Sequence, residues 1–286
     1  MGSSEIPPVN KDPKGLLEKV RYFALDLDGT VYLGPKWIPG AMDFLSLIRD
    51  RGRRYYFLTN NSSRDPEAVR DKLENMGLRT CLSEVITSGQ ATILYLKRYF
   101  PGKSVYLLGN PLLTKQFLSE GIELREINED AEVAVAGFDT TLDYDKMKHL
   151  CDLVRAGKPY IMTHPDINCP VDDGFLPDTG AILAFVKASA GREPDCVIGK
   201  PNQYMNEYLM TRIEGDTGVR PAPSEIAVIG DRLYTDIASA VKGGFVSILV
   251  LSGETSLSDL SSPDNPWMPD LIYESVADIA IPGLDS

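Results

Sequence analysis

The stretch Phe23-Ala24-Leu25-Asp26-Leu27-Asp28-Gly29-Thr30-Val31-Tyr32 constrains this chain more than any other. It starts as an apolar strand and ends in two carboxylates one residue apart, followed by a Gly-Thr turn. Residues i and i+2 of a strand share a face. Asp26 and Asp28 are therefore expected to start out pointing the same way at the strand's carboxyl end. Open α/β sheets place their chemistry outside that end. Two carboxylates so close repel each other unless a cation or a shared proton intervenes. The stretch predicts a parallel sheet whose edge carries a metal or a proton-transfer task.

The rest of the chain keeps the rhythm that such a sheet needs. Short apolar runs are predicted as strands at 54–59, 85–87, 105–108, 133–136, 160–162, 196–198, 225–229, 245–251 and 271–273. Helical patterns fall between them, at 41–50, after Asp65-Pro66, and at 90–100, 112–120, 144–156, 180–190, 202–213 and 233–241. Residues 31–38 read as a small hairpin with Gly34-Pro35 at its turn. Residues 164–177 read as a long loop. The block from about 90 to 194 repeats the strand–helix alternation and predicts a separate α/β unit. The expected fold class is therefore α/β. A parallel-sheet core of residues 15–90 and 195–286 is interrupted by an inserted α/β cap at 91–194. Residues 1–14 are expected to be a flexible leader rather than a signal peptide.

Composition narrows the partners. The chain has 286 residues, which suggests two domains, and a net charge of −12, with 41 acidic against 29 basic residues. No run rich in Lys or Arg is present, so a nucleic acid is not expected. No apolar run is long enough for a membrane span. Cys81, Cys151, Cys169 and Cys196 form no C-x-x-C pair and read as thiols of a reducing cytoplasm. An acidic chain that handles an anion must supply local positive charge, from a few lysines or a bound cation.

Four polar clusters stand at the carboxyl ends of predicted strands: Asp26 with Asp28, Thr59-Asn60-Asn61, Lys200, and Asp231 with Asp236. If these strands share one parallel sheet, the clusters share one edge. Their chemistry suits phosphoryl transfer, which needs a nucleophile, a metal, hydrogen-bond donors for the equatorial oxygens and a cation. Asp26 can supply the nucleophile and a metal oxygen. Asp28 can protonate the leaving oxygen and later take a proton from water. Asp231 offers a second carboxylate for hard Mg²⁺. Thr59, Asn60 and Asn61 are donors, and Lys200 is the point charge. Each cluster also has a plainer reading. Thr59-Asn60-Asn61 fits a loop and helix entry, and Asp236 fits the favourable end of a helix dipole.

Asp-Leu-Asp-Gly-Thr-Val, Leu-Thr-Asn-Asn-Ser-Ser, Gly-Lys-Pro and Gly-Asp-Arg-Leu-x-Thr-Asp, in that order, resemble the haloacid dehalogenase (HAD) superfamily. More narrowly, they resemble its NagD-like and para-nitrophenylphosphatase branch, with a cap between the second and third motifs. The cap stretches Thr163-His164-Pro165-Asp166 and Gly174-Phe175-Leu176-Pro177-Asp178-Thr179-Gly180 resemble that branch too, although His164 and Asp178 stand where members often have other residues. The resemblance implies a Rossmann-like core and a Mg²⁺-dependent phosphatase acting on a small phosphorylated metabolite. It implies an aspartyl-phosphate on Asp26, Asp28 as acid/base with its backbone carbonyl also on Mg²⁺, and Thr59 and Asn60 on the phosphoryl group. Lys200 would pair with Asp26 and the phosphate, and Asp231 and Asp236 would serve the metal. The cap loop would read the leaving group, with Asn168 and Cys169 as its expected contacts. Caps of this branch pair across dimers, so a homodimer through the cap is among the expected assemblies. Competing readings are a receiver-like phosphoacceptor and a phosphate-binding protein without turnover. A receiver carries no inserted domain of about a hundred residues, and the intact set of chemical groups disfavours an inert binder.

Overall fold

The structure, a computed structural model, describes residues 12–171 and 174–283. In chain order its elements are α1 (Pro13–Lys19), β1 (Tyr22–Leu25), β2 (Tyr32–Leu33), β3 (Lys36–Trp37), α2 (Ala41–Asp50), β4 (Arg54–Thr59), α3 (Pro66–Asn75), β5 (Val85–Thr87) and α4 (Ser88–Tyr99). There follow β6 (Val105–Leu108), α5 (Pro111–Ser119), β7 (Leu124–Arg125), β8 (Val133–Ala136), α6 (Tyr144–Arg155), β9 (Tyr160–Met162), β10 (Asn168–Val171), β11 (Gly174–Pro177), α7 (Thr179–Ala190) and β12 (Cys196–Val197). The last are α8 (Gln203–Thr217), β13 (Ile226–Gly230), a π-helical turn Leu233–Ile237, α9 (Ala238–Gly243), β14 (Val246–Val250), α10 (Leu257–Leu260) and β15 (Leu271–Tyr273). No helix among the described residues is long and apolar enough to cross a membrane.

The described chain divides into two compact units. One comprises the chain up to Leu58, Leu73–Val85 and the chain from Leu209 onward; the other comprises Thr59–Lys72 and Ile86–Tyr208. The first is built on a sheet of order β15-β14-β13-β1-β4-β5, parallel from β15 through β4. Its strands are apolar at nearly every position because both faces are covered: Phe23, Ala24, Leu25, Ile226 to Ile229 and Ile248 to Val250 are all buried. Strands on one side of β1 come early in the chain and those on the other side come late. The order therefore reverses between β1 and β13, which opens a crevice at their carboxyl ends. The helix α2 turns Ala41, Phe44, Leu45 and Ile48 inward, the spacing expected of one helical face.

The second unit has its own parallel sheet, of order β12-β9-β8-β6-β7. Its core gathers Tyr106, Leu108, Ala134, Ala136, Leu150, Val154, Tyr160, Met162, Ile182 and Val186. Here the order reverses between β6 and β8.

Several local expectations change. The leader was expected over 1–14; residues 1–11 lie outside the described residues, but Asp12 caps α1 by accepting the Gly15 N–H at 3.0 Å. The helix expected from residue 90 starts at Ser88, because Thr87 and Gln90 form a reciprocal capping box. The long loop expected at 164–177 contains a hairpin, β10 against β11, pairing Asn168 with Pro177 and Pro170 with Phe175. Its prolines hide the strand signal, yet a two-stranded ribbon tolerates them where no N–H is required. The run 233–241 opens with a π-helical turn before α9. The largest change concerns β12. The sequence predicts its return to the first sheet, and instead it pairs with β9 of the second. The division of the chain follows that pairing, placing residues up to Tyr208 with the second unit.

Candidate active site

In the first unit, β1 ends at Leu25, and the Asp26 N–H extends the ladder by one bond, to the Ile229 carbonyl at 2.9 Å. Asp26 and Asp28 are both half-buried, with Leu27 buried between them, the alternation expected of an extended segment. The chain then reverses sharply, with the Val31 and Tyr32 N–H groups both on the Leu27 carbonyl. Gly29 makes this turn at φ +86°, and a Cβ there would stand 2.5 Å from an Asp231 carboxylate oxygen. Both the conformation and the close approach demand glycine.

Asp231 follows β13 across the crevice. It is buried and accepts the Thr30 hydroxyl at 3.2 Å and the Glu254 N–H at 2.8 Å. Asp236 is equally buried on the π-helical turn and accepts the Arg232 N–H at 3.3 Å. One carboxylate oxygen from each of Asp26, Asp231 and Asp236 lies within 4.8 Å of the other two. Burial, then the charges of Asp26 and Asp236, push the Asp231 carboxyl up to about 7, although the Glu254 N–H and Arg232 pull it down. Three carboxylates crowded in this way form an all-oxygen donor set of the kind that hard divalent cations take. The Asp28 carboxylate stands outside this group of ligand atoms.

In the second unit, the polar segment after β4 runs along the carboxyl edge of the sheet. Ser63 accepts the Asn110 amide after β6 at 2.7 Å. The Ser62 Oγ accepts the Phe138 N–H after β8 at 2.9 Å and shares a hydrogen bond with Thr163 after β9 at 3.1 Å. Asn60 reaches the residue after Gly199, beyond β12: its Oδ1 accepts the Lys200 N–H at 2.8 Å, and its Nδ2 donates to the Lys200 carbonyl at 3.0 Å. The same Nδ2 donates to Asp166 at 2.9 Å. A Cβ at Gly199 would sit 2.6 Å from Asn60 Oδ1, which accounts for the glycine of Gly-Lys-Pro. Thr59 Oγ1 accepts the Asn61 N–H at 3.1 Å, which leaves its own hydrogen to be donated. Lys200 is 2% exposed.

Each residue singled out in the sequence thus has a place. Asp26, Asp231 and Asp236 come together in the first unit; Asn60 and Lys200 come together in the second. Asn61 and Cys169 meet, with Asn61 Nδ2 3.7 Å from the Cys169 sulfur. Asn61 Oδ1 accepts both the N–H and the hydroxyl of Ser63, at 2.9 and 2.7 Å. That is the local turn of the plainer reading. Asn168 is exposed on β10. His164, expected at the head of a loop, is fully buried and binds the buried Asp178 at 2.9 Å. His164 and Asp178 therefore pair with each other, and neither side chain faces solvent. Burial lowers the imidazole pKa, but the Asp178 carboxylate outweighs it and holds His164 above its ordinary value. Sequence reasoning missed Ser88, which donates to the Asn60 carbonyl and lies 3.5 Å from His164 Nδ1. No local pattern marks a serine in the first turn of a helix for that role. Asp166 was also missed, although it lies in a quoted cap motif.

Comparison with known proteins agrees with this geometry. The family of haloacid dehalogenase-like hydrolases matches residues 23–123, and a second, HAD-hydrolase-like family matches 197–279. An acid sugar phosphatase of Staphylococcus aureus is 34% identical over 250 residues, 87% of this chain and 93% of that protein. The 4-nitrophenylphosphatase of Thermotoga maritima is 40% identical, covering 93% of this chain and 99% of that one, with a TM-score of 0.86. NagD from E. coli is 29% identical over 92% and 99% of the two chains, with a TM-score of 0.81. These relatives, matched over nearly the whole chain, define the class as hydrolases of phosphoric monoesters. The chain belongs to the haloacid dehalogenase-like hydrolase family, in its NagD-like branch.

Proposed function

We propose that this enzyme hydrolyses a small phosphomonoester with the help of Mg²⁺, by way of an aspartyl-phosphate on Asp26. The observation that carries the reading is the gathering of Asp26, Asp231 and Asp236 within metal-ligand distance at the switch point of the first sheet. Those carboxylates, with the Asp28 carbonyl, would hold Mg²⁺, which when bound offsets phosphate charge and keeps Asp26 anionic.

The residues divide the remaining work. The Asp26 carboxylate attacks phosphorus as the ester P–O bond breaks. Asp28 gives its proton to the departing oxygen. As a carboxylate it then takes a proton from the water that cleaves the acyl phosphate, releasing inorganic phosphate and restoring Asp26. The free hydrogen of Thr59 Oγ1 and the Lys200 ammonium meet the transferring oxygens. The hairpin β10–β11, with Asn168 and Cys169, contacts the leaving group. The relatives named as acid sugar phosphatase and 4-nitrophenylphosphatase support small sugar and aryl phosphates as the first substrates to try. Four cysteines present as thiols support a cytoplasmic setting, and a homodimer through the cap remains part of the proposal.

The test is a panel of phosphorylated metabolites, including sugar phosphates, nucleoside monophosphates and 4-nitrophenyl phosphate, assayed with Mg²⁺ and with EDTA. Phosphate release from at least one small ester, lost in EDTA, is the expected result. Silence across the panel, or release indifferent to EDTA, would refute the reading.

A further inference from the structure

We infer that Asn60 is a positioning residue for Lys200, and that its side chain makes no contact with the phosphoryl group. This deepens the proposed phosphatase chemistry and rests on it. The sequence suggests the opposite, a carboxamide beside Thr59 donating to phosphate. The structure assigns both of its N–H bonds and its oxygen elsewhere. One Nδ2 hydrogen goes to the Lys200 carbonyl at 3.0 Å and the other to Asp166 Oδ1 at 2.9 Å. Oδ1 accepts the Lys200 N–H at 2.8 Å. Asn60 is 4% exposed, so a substrate oxygen could reach the amide only by displacing one of these partners. A buried partner displaced in this way is left unsatisfied, which is costly.

The pairing has the form of a clamp. Asn60 binds the N–H and the carbonyl of the same residue, so the peptide groups on both sides of the Lys200 Cα are fixed, as in a β-ladder. The clamp is itself held. The Asn60 carbonyl accepts the Ser88 hydroxyl, and the Lys200 side closes tightly because Gly199 has no Cβ to push Asn60 away. A buried lysine is a flexible stem bearing a strongly hydrated charge. Fixing its backbone is the direct way to fix where that charge is delivered. Asparagine is the residue that fits. Aspartate loses both donors and sets a second carboxylate against Asp166. Serine and alanine do not reach, and glutamine overshoots by a methylene.

The experiment is a double-mutant cycle on phosphatase turnover, with Asn60→Ala, Asn60→Asp, Lys200→Ala and each Asn60 variant combined with Lys200→Ala. Thr59→Ala combined with Asn60→Ala serves as control, and circular dichroism checks the fold of each protein. Loss of positioning is expected to lower kcat in Asn60→Ala by about 10- to 100-fold with KM changed less than about threefold. Each Asn60/Lys200 double variant should be no slower than Lys200→Ala alone, whereas the Thr59 and Asn60 effects should multiply. If Asn60→Ala fails to fold, the same cycle with the near-isosteric Asn60→Asp decides the question. Double variants slowed by the product of the single effects, or an Asn60 effect confined to KM, would overturn the positioning role and leave the phosphatase reading standing. Full turnover in Lys200→Ala would overturn the role of Lys200 and this inference together.

Discussion

The two parallel sheets each have a reversal of strand order, and the crevices at their carboxyl ends are filled in opposite ways. The first crevice collects like charges. Asp26, Asp231 and Asp236 bring three carboxylates together, Arg232 lies close enough to feel the charges of Asp26 and Asp231, and Asp231 is driven up to about 7 by burial and its acidic neighbours. The second is filled by the chain's own segment 60–63, hydrogen-bonded to residues that follow β6, β8, β9 and β12. Here His164 binds Asp178, and Asp166 accepts the Asn60 amide. Three crowded oxygen donors suit a hard divalent cation. A connected hydrogen-bond network rigidifies what it holds. The first crevice therefore offers carboxylates, and the second holds Asn60 and the Lys200 backbone in fixed positions.

That contrast can be broken most strongly at Asp26. Asp26→Asn is expected to slow turnover by more than about 10,000-fold, the scale seen when a nucleophile is removed. The same variant should melt above the parent protein in EDTA, because a like charge has left the cluster. A lower melting temperature in calorimetry would show that the folded protein stabilises the Asp26 carboxylate more than its acidic neighbours repel it. Next in size, Asp231→Ala should shift the Mg²⁺ activation curve at least about 100-fold, the upper end for partners that merely support metal ligands. An unmoved curve would remove Asp231 from the metal site.

The smallest effect belongs to the second crevice and concerns stability. The folded-state pKa of His164 is raised, so the folded protein holds its proton more tightly than the unfolded chain, whose histidine titrates near 6.5. The stabilisation is complete below about pH 6.5 and is lost as pH rises through the higher folded value. His164→Gln is expected to cost about 2 kcal/mol at pH 6, the worth of a charged hydrogen bond. It should also flatten the fall in stability above pH 6.5. Urea unfolding across pH 6 to 9 measures both, and an unchanged slope in the variant would assign the pH dependence to another group.

Much of the first crevice was legible along the chain. Asp26 and Asp231 each end a strand long and apolar enough to be recognised, and Asp65-Pro66 announced α3, where the Ala68 N–H binds Asp65 at 2.8 Å. The second crevice was far less legible. Its strand β12 has two residues, too few to carry a pattern that says which sheet it joins. Its hydrogen bonds link residues distant in sequence, Asn60 with Lys200 at a separation of 140 and Ser62 with Thr163 at 101.

By itself the sequence determined which residues can do the chemistry, because a phosphoryl-transfer site needs particular groups at strand ends and the motifs carry them in order. It also determined most helices and strands, whose signals are local: apolar period, caps, glycine stops. Only the tertiary structure decided which of those polar groups remain at liberty to act. Thr59 keeps a hydrogen to give, while the carboxamide of Asn60 is spent on Lys200 and Asp166. The physical reason is that a polar side chain's role is fixed by its hydrogen-bond partners, and buried partners come from wherever packing brings the chain back upon itself.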